Sequence, residues 1–82
     1  MTAEEALARQ EIIERIRRKH KRRDMLIQNI SDKLGVNGDF VLRILHQLVT
    51  EGVVRTEEVD GVEIVSIGKK FMSLRLSIPA LP

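Results

Sequence analysis

A dense cluster of basic side chains runs from Arg17 to Arg23, in the stretch RRKHKRR. Six of these seven residues are Lys or Arg, and no acidic residue interrupts them. Cations at this density attract phosphate oxygens without regard to base sequence. A solvated loop that only aids solubility is the alternative. The candidate phosphate contacts are Arg17, Arg18, Lys19, Lys21, Arg22 and Arg23.

The formal net charge of +2 conceals an uneven distribution along the chain. Residues 17–23 carry +6, whereas residues 51–67 carry −4. Such a chain folds with a basic region and an acidic region, so local patches and not the net charge select a partner.

Catalytic and metal-binding chemistry find little support in the residue types. The chain has no Cys, and its two histidines, His20 and His46, fall on separate predicted elements. Two isolated histidines do not make a metal site, and no nucleophile-elbow, P-loop or dinucleotide-binding motif occurs. We therefore predict no enzymatic activity, no cofactor and no metal.

The composition places the chain among single-domain globular proteins, with one domain over residues 1–82. It is 43% hydrophobic and 32% charged, and no apolar run approaches the length of a membrane span. The polar N-terminus does not resemble a signal peptide, and the absence of Cys fits a reducing compartment. We expect a cytoplasmic protein with no membrane partner.

Helical periodicity and turn signals divide the chain into helices over residues 2–19, 24–34 and 37–51, a basic loop over 17–23, a hairpin over 53–67 and a tail over 68–82. Thr2 and Glu5 form a capping-box pattern at the first helix. Its predicted apolar stripe comprises Ala6, Leu7, Ile12, Ile13 and Ile16.

The second and third helices are joined by only a few residues, with Asp24 and Asn37 as their predicted N-caps. Gly35 and Gly52 mark their ends. Such a tight connection is typical of a helix-turn-helix. The buried seam of the second helix is Leu26, Ile30 and Leu34, and the apolar face of the third is Phe40, Val41, Ile44, Leu45 and Leu48.

Asp60-Gly61 between two β-rich runs is a strong signal for a two-residue hairpin turn. The tail after it fits a helix or a strand equally well. Because the tail is unusually apolar for a chain end, we expect it to pack on its own domain or on a second copy.

The stretch ISDKLGVNGDFVLRILHQLVTEGVVRTEEVDGVEIVSIGKK, residues 30–70, resembles the winged helix-turn-helix family. The resemblance implies an α+β fold with a three-helix core, a two-stranded β-hairpin wing and a short C-terminal helix or strand. Most members of that family bind duplex DNA as transcription regulators, and a minority serve as protein-interaction modules in larger assemblies.

In that family the third helix lies in the major groove with its outward residues at the base edges. The resemblance therefore adds Asn37, Arg43, His46 and Gln47 to the expected DNA contacts. Arg43 suits a base or a phosphate, and His46 and Gln47 suit phosphates. Gly38, Asp39 and Leu42 are also expected to face outward. Asp39 departs from the family pattern, and Leu42 fits a thymine methyl or a protein contact equally well.

The wing also departs from the pattern, because it carries Glu57, Glu58, Asp60 and Glu63, which a phosphate backbone would repel. Two hypotheses follow. The first is a homodimeric transcription regulator that binds duplex DNA and dimerises through its first helix and tail. The second is a protein-interaction module whose acidic wing binds a partner. A shared face for Arg43 and the basic run favours the first, and wing carboxylates around Arg43 favour the second.

Overall fold

The computed structural model describes residues 2–70. Three helices precede a hairpin in an α+β arrangement: α1 (Ala3–Arg18), β1 (Lys21–Arg22), α2 (Arg23–Leu34), α3 (Gly38–Glu51), β2 (Val54–Val59) and β3 (Val62–Ile67). The helices and the hairpin match the predicted order. The predicted tail lies outside the described residues beyond Lys70, so its structure remains a prediction.

The sheet has three antiparallel strands in the order β1–β3–β2, and not the two strands predicted. The extra strand, β1, pairs Lys21 with Val65 and Arg22 with Ile64 of β3. The predicted basic loop over residues 17–23 is therefore wrong. Its ends belong to α1 and α2, and only Lys19 and His20 lie between regular elements.

Side-chain hydrogen bonds cap the N-terminal ends of α1 and α3. The backbone N–H of Glu5 donates to the hydroxyl of Thr2, and the N–H of Thr2 donates to the Glu5 carboxylate, each at 3.1 Å. The side chain of Asn37 accepts from the backbone N–H of Asp39 at 2.8 Å. Both predicted caps are confirmed, because each depends only on neighbours within one turn.

The predicted N-cap of α2 is wrong. The helix begins at Arg23, its N-cap is Arg22, and no side chain caps it. Asp24 lies in the first turn, where its carboxylate accepts from the N–H of Met25 at 2.8 Å. Pairing of β1 with β3 holds Arg22 in an extended conformation, so the N-cap lies at Arg22, two residues before the predicted Asp24.

Within residues 2–70 the buried core consists of aliphatic side chains, drawn from all three helices and the hairpin. On α1 the buried positions are Ala8, Ile12 and Ile16, spaced four residues apart. The predicted stripe was therefore displaced at its start, since Ala6 is exposed and Leu7 is 49% exposed. The rest of the core is Leu26, Ile30, Val41, Ile44, Leu45, Leu48, Val53, Val54 and Val65.

The hairpin turn is formed as its sequence predicts. Asp60 and Gly61 both adopt positive φ, at 52° and 79°, which is the backbone of a type I′ turn. Val54 of β2 and Val65 of β3 point towards the helices and are buried. The opposite face of the sheet carries Arg22, Arg55 and Glu57, because side chains alternate along a strand.

Candidate nucleic-acid interface

The predicted basic contacts lie where α1, β1 and α2 meet, which we call the cationic junction (residues 15–23). Arg17 and Arg18 occupy the last turn of α1, Lys19 is its C-cap, and Arg23 begins α2. Lys21 and Arg23 are half-buried, whereas Arg17, Arg18, Lys19 and Arg22 are exposed. The fold thus gathers all six predicted basic contacts into one region.

Ion pairs neutralise only part of this junction. Arg17 lies 3.8 Å from Glu14, and Arg22 lies 3.2 Å from Asp24. Among residues 2–70, the structure shows no carboxylate within 4 Å of the cationic groups of the other four: Arg18, Lys19, Lys21 and Arg23. Arg18 and Lys19 are also exposed, so their charges remain available to an external anion.

A depression of about 290 Å³ opens between the end of α1, β1 and the outer side of α2. No carboxylate lines it within the described part of the chain. Lys19, Lys21 and Arg22 supply its predicted cations, whereas its other lining residues were not predicted: Arg15, His20, Met25, Leu26 and Asn29. Arg15 could have been identified from the sequence. It lies four positions before Lys19, and residues four apart on a helix share a face.

The wing lies against the other side of the junction. Arg22, Arg23 and Asp24 share a surface depression with Gly61, Val62 and Glu63. Carboxylates therefore accompany the cations on this side, and the acidic wing reduces the positive potential next to the start of α2. The carboxylate-free depression between Lys19 and Asn29 is the more strongly cationic side.

The outward face of α3 carries mixed charges. His46 is exposed, Gln47 is half-buried, and Asn37 is engaged as the N-cap. Leu42, predicted to face outward, is half-buried and packs against the core. A broad depression of about 560 Å³ runs along this face, lined by Asp39, Leu42, Arg43, His46, Gln47, Thr50 and Glu51.

Arg43 is the only Lys or Arg on α3, and it lies against an acidic side chain of α1. Its Nη1 lies 3.9 Å from Oε2 of Glu5 in the first turn of α1. Its guanidinium carbon lies 5.2 Å from the ring centroid of Phe40, within cation–π range. The pKa of Glu5 is lowered by hydrogen bonds with Thr2, of which the one from the backbone N–H has the largest effect. The nearby Arg43 lowers this pKa further. Glu5 is thus a carboxylate at neutral pH.

Arg43 and the cationic junction lie near opposite ends of α1. Glu5, which Arg43 contacts, is thirteen positions before Arg18, and a helix rises 1.5 Å per residue, so about 20 Å of helix axis separates them. The wing carboxylate Glu63 lies beside Arg22 and Arg23, and no carboxylate of the described wing lies within 4 Å of the Arg43 guanidinium. The basic run therefore does not share a face with Arg43, and the wing carboxylates do not flank Arg43 either.

Two further ion pairs join α1 to the other helices. Arg9 donates to both carboxylate oxygens of Glu51, at 2.6 and 3.1 Å, which lowers the pKa of Glu51 and raises that of Arg9. Glu11 accepts from Lys33 at 2.9 Å and from Arg15 at 3.4 Å, and both lower its pKa. These pairs orient α1 across α2 and α3.

No helix within residues 2–70 is both long and apolar enough to cross a lipid bilayer. Comparisons of the chain with protein-family models, with curated proteins and with solved structures found no match.

Proposed function

We propose that this chain is a winged-helix protein that binds the phosphate backbone of duplex DNA through the cationic junction. The carboxylate-free depression lined by Arg15, Lys19, Lys21 and Arg22 is the observation that carries the proposal. Phosphate contacts of this kind position a protein on a duplex and carry no sequence information.

The start of α2 adds to this attraction. Its N-cap, Arg22, offers no side-chain acceptor, so the first backbone N–H groups of the helix depend on other acceptors. Asp24 accepts from one of them, the N–H of Met25. The positive end of the helix dipole therefore lies beside the cations of the junction and favours an anion there.

The outward face of α3 contributes less to the proposed binding. Glu5 lies against its single Arg, Asp39 and Glu51 line the same depression, and a phosphate backbone repels each of these carboxylates. Base reading by bidentate hydrogen bonds rests on Arg43 alone among the basic residues of this helix. We therefore expect the protein to bind duplexes of different sequence with similar affinity, in the manner of a weakly selective regulator or an accessory DNA-binding protein.

A second candidate function is protein binding through the outward face of α3. The supporting observation is the depression beside Leu42, whose charges are mixed and not uniformly cationic. A partner seated there would contact His46 and Thr50 and would leave the cationic junction free. Replacing His46 and Thr50 together would abolish such binding and would reduce the affinity for DNA only slightly.

Equilibrium binding to a labelled duplex of random sequence tests the first proposal. Lys19→Gln plus Lys21→Gln removes two charges from the depression and keeps the aliphatic stems. Lys69→Gln plus Lys70→Gln removes the same charge beside Gly52, at the C-terminal end of α3, and is the matched control. We expect the first pair to weaken binding uniformly across sequences and the control to weaken it much less. Equal losses in the two variants would contradict a localised site.

A further inference from the structure

Among the described strands, β2 forms one edge of the sheet. Within residues 2–70 it pairs with β3 alone, and five of its six residues, Arg55 to Val59, are exposed. An edge strand carries backbone N–H and C=O groups without a ladder partner, and these can pair with another extended segment.

The hydrogen-bond pattern of the hairpin determines which backbone groups of β2 point to the free edge. A two-residue turn is closed by a hydrogen-bonded pair, here Val59 and Val62. Hydrogen-bonded and non-hydrogen-bonded pairs then alternate along the antiparallel ladder. The residues whose backbone groups point outward are therefore the alternate ones: Val54, Thr56 and Glu58.

We infer that two copies of this chain associate by antiparallel pairing of their β2 strands, centred on Thr56. The two Thr56 residues then face each other as a hydrogen-bonded pair. In this register Arg55 of each copy lies directly opposite Glu57 of the other, so two oppositely charged pairs form by symmetry. Both pairs lie on the outer face of the sheet, away from the helices.

Neighbouring registers are disfavoured by the same charges. Centring the pairing on Arg55 places two arginines directly opposite each other, and centring it on Glu57 or on Glu58 does the same with two glutamates. Like charges directly opposite destabilise a strand pair, whereas opposite charges stabilise it. A register centred between two neighbouring residues is also disfavoured. It places a residue whose backbone groups point to the free edge opposite one whose backbone groups point to β3. Thr56 is therefore the favoured centre.

Contacts within one chain already hold Arg55 on the required face. Its Nη2 lies 3.2 Å from Oε2 of Glu57, and its Nε donates to the hydroxyl of Ser66 at 3.3 Å. In the dimer each guanidinium lies between its own Glu57 and that of the second copy, so the charges alternate across the interface. Pairing continues the two sheets into one of six strands.

Sedimentation velocity of the full chain at low salt, from about 10 μM to about 1 mM, tests the inference, because a strand-edge interface is smaller than a standard one and binds weakly. We expect a concentration-dependent dimer. Arg55→Glu alone and Glu57→Arg alone should each raise the dimer dissociation constant about 30-fold, since two cross-strand pairs change from attraction to repulsion. An equimolar mixture of the two variants restores both pairs and should dimerise.

Thr56→Pro provides a test that does not depend on charge. It removes an N–H that points to the free edge and leaves the β2–β3 ladder intact, so the circular dichroism spectrum should be retained while dimerisation is lost. A monomer at every concentration would overturn the inference. So would a dimer that Arg55→Glu and Thr56→Pro leave unchanged, because association would then use another surface.

Discussion

Arg43 of α3 lies against Glu5 in the first turn of α1, with 3.9 Å between Nη1 and Oε2. This contact places the single Arg of α3 near one end of α1, while the cationic junction lies at the other end. The two groups of candidate DNA contacts are therefore separate in space. The proposed phosphate attraction and any base reading would therefore use different parts of the molecule.

Arg43→Gln should have a small effect on binding to a duplex of random sequence. We expect a loss of at most about one phosphate contact, seen as a decrease of about 1 in the slope of log affinity against log salt. The free energy of unfolding should change little, because Arg43 is exposed and its distance to Glu5 is near the limit of an ion pair. A loss of binding as large as that of Lys19→Gln plus Lys21→Gln would show that α3 is the main contact.

Leu45→Ala and Leu42→Ala form a matched pair on α3. Leu45 is fully buried, so its truncation should lower the free energy of unfolding by about 2–5 kcal/mol through lost burial and a cavity. Leu42 is half-buried, and its truncation should cost about half as much or less. Urea denaturation followed by circular dichroism measures both. Equal losses would show that Leu42 belongs to the core.

Gly68→Ala and Gly38→Ala should change stability in opposite directions. A Cβ at Gly68 would lie 3.0 Å from backbone atoms of Val53 and Val54, so Ala should destabilise the fold by about 1–3 kcal/mol. At Gly38, the first residue of α3, the nearest atom is a methyl of Ile27 at 3.6 Å. Ala there should stabilise by about 0.4–1 kcal/mol by restricting the unfolded chain. Thermal denaturation of both variants checks the two signs.

Stability should decrease in acid. Ion pairs lower the pKa values of Glu11 and Glu51 below the ordinary value of 4.5, so the unfolded chain binds protons more readily than the folded one. The stabilisation is present above about pH 4.5 and is lost as the pH falls through the lower folded pKa values. Thermal midpoints between about pH 7 and about pH 3 measure this loss.

Glu51→Gln should flatten that acid profile and lower stability at neutral pH by less than about 1 kcal/mol, because the Arg9–Glu51 pair is partly exposed. Glu58→Gln is the control, since Glu58 contacts no cation within 4 Å in the described chain. If both variants showed the same profile as the unsubstituted chain, the Arg9–Glu51 pair would not contribute.

Features encoded by near neighbours could be predicted from the sequence. The capping box at Thr2, the cap at Asn37 and the turn at Asp60-Gly61 each depend on residues within one turn, and all three are confirmed. The strand β1 could not be predicted, because two polar residues carry no periodicity and pair with a strand more than forty positions away. The same strand displaced the start of α2.

The candidate site was predictable in part. The basic residues were identifiable by composition alone, whereas the spatial separation of Arg43 from them depends on how α1 packs across α3. The depression on the outer side of α2 also required the tertiary structure, because Asn29 and Arg15 come together only when α2 packs beside the end of α1. Charge patterns locate cations along a chain but not on a surface.

The salt dependence of binding to a random-sequence duplex tests the central claim most directly. Log affinity falls with log salt by about 0.9 for each phosphate neutralised, so three or four contacts from the junction predict a slope of about −3 to −4 per chain. Lys19→Gln plus Lys21→Gln should reduce that slope by about 2. No binding at about 50 mM salt, or a slope that this pair leaves unchanged, would contradict phosphate binding at the cationic junction.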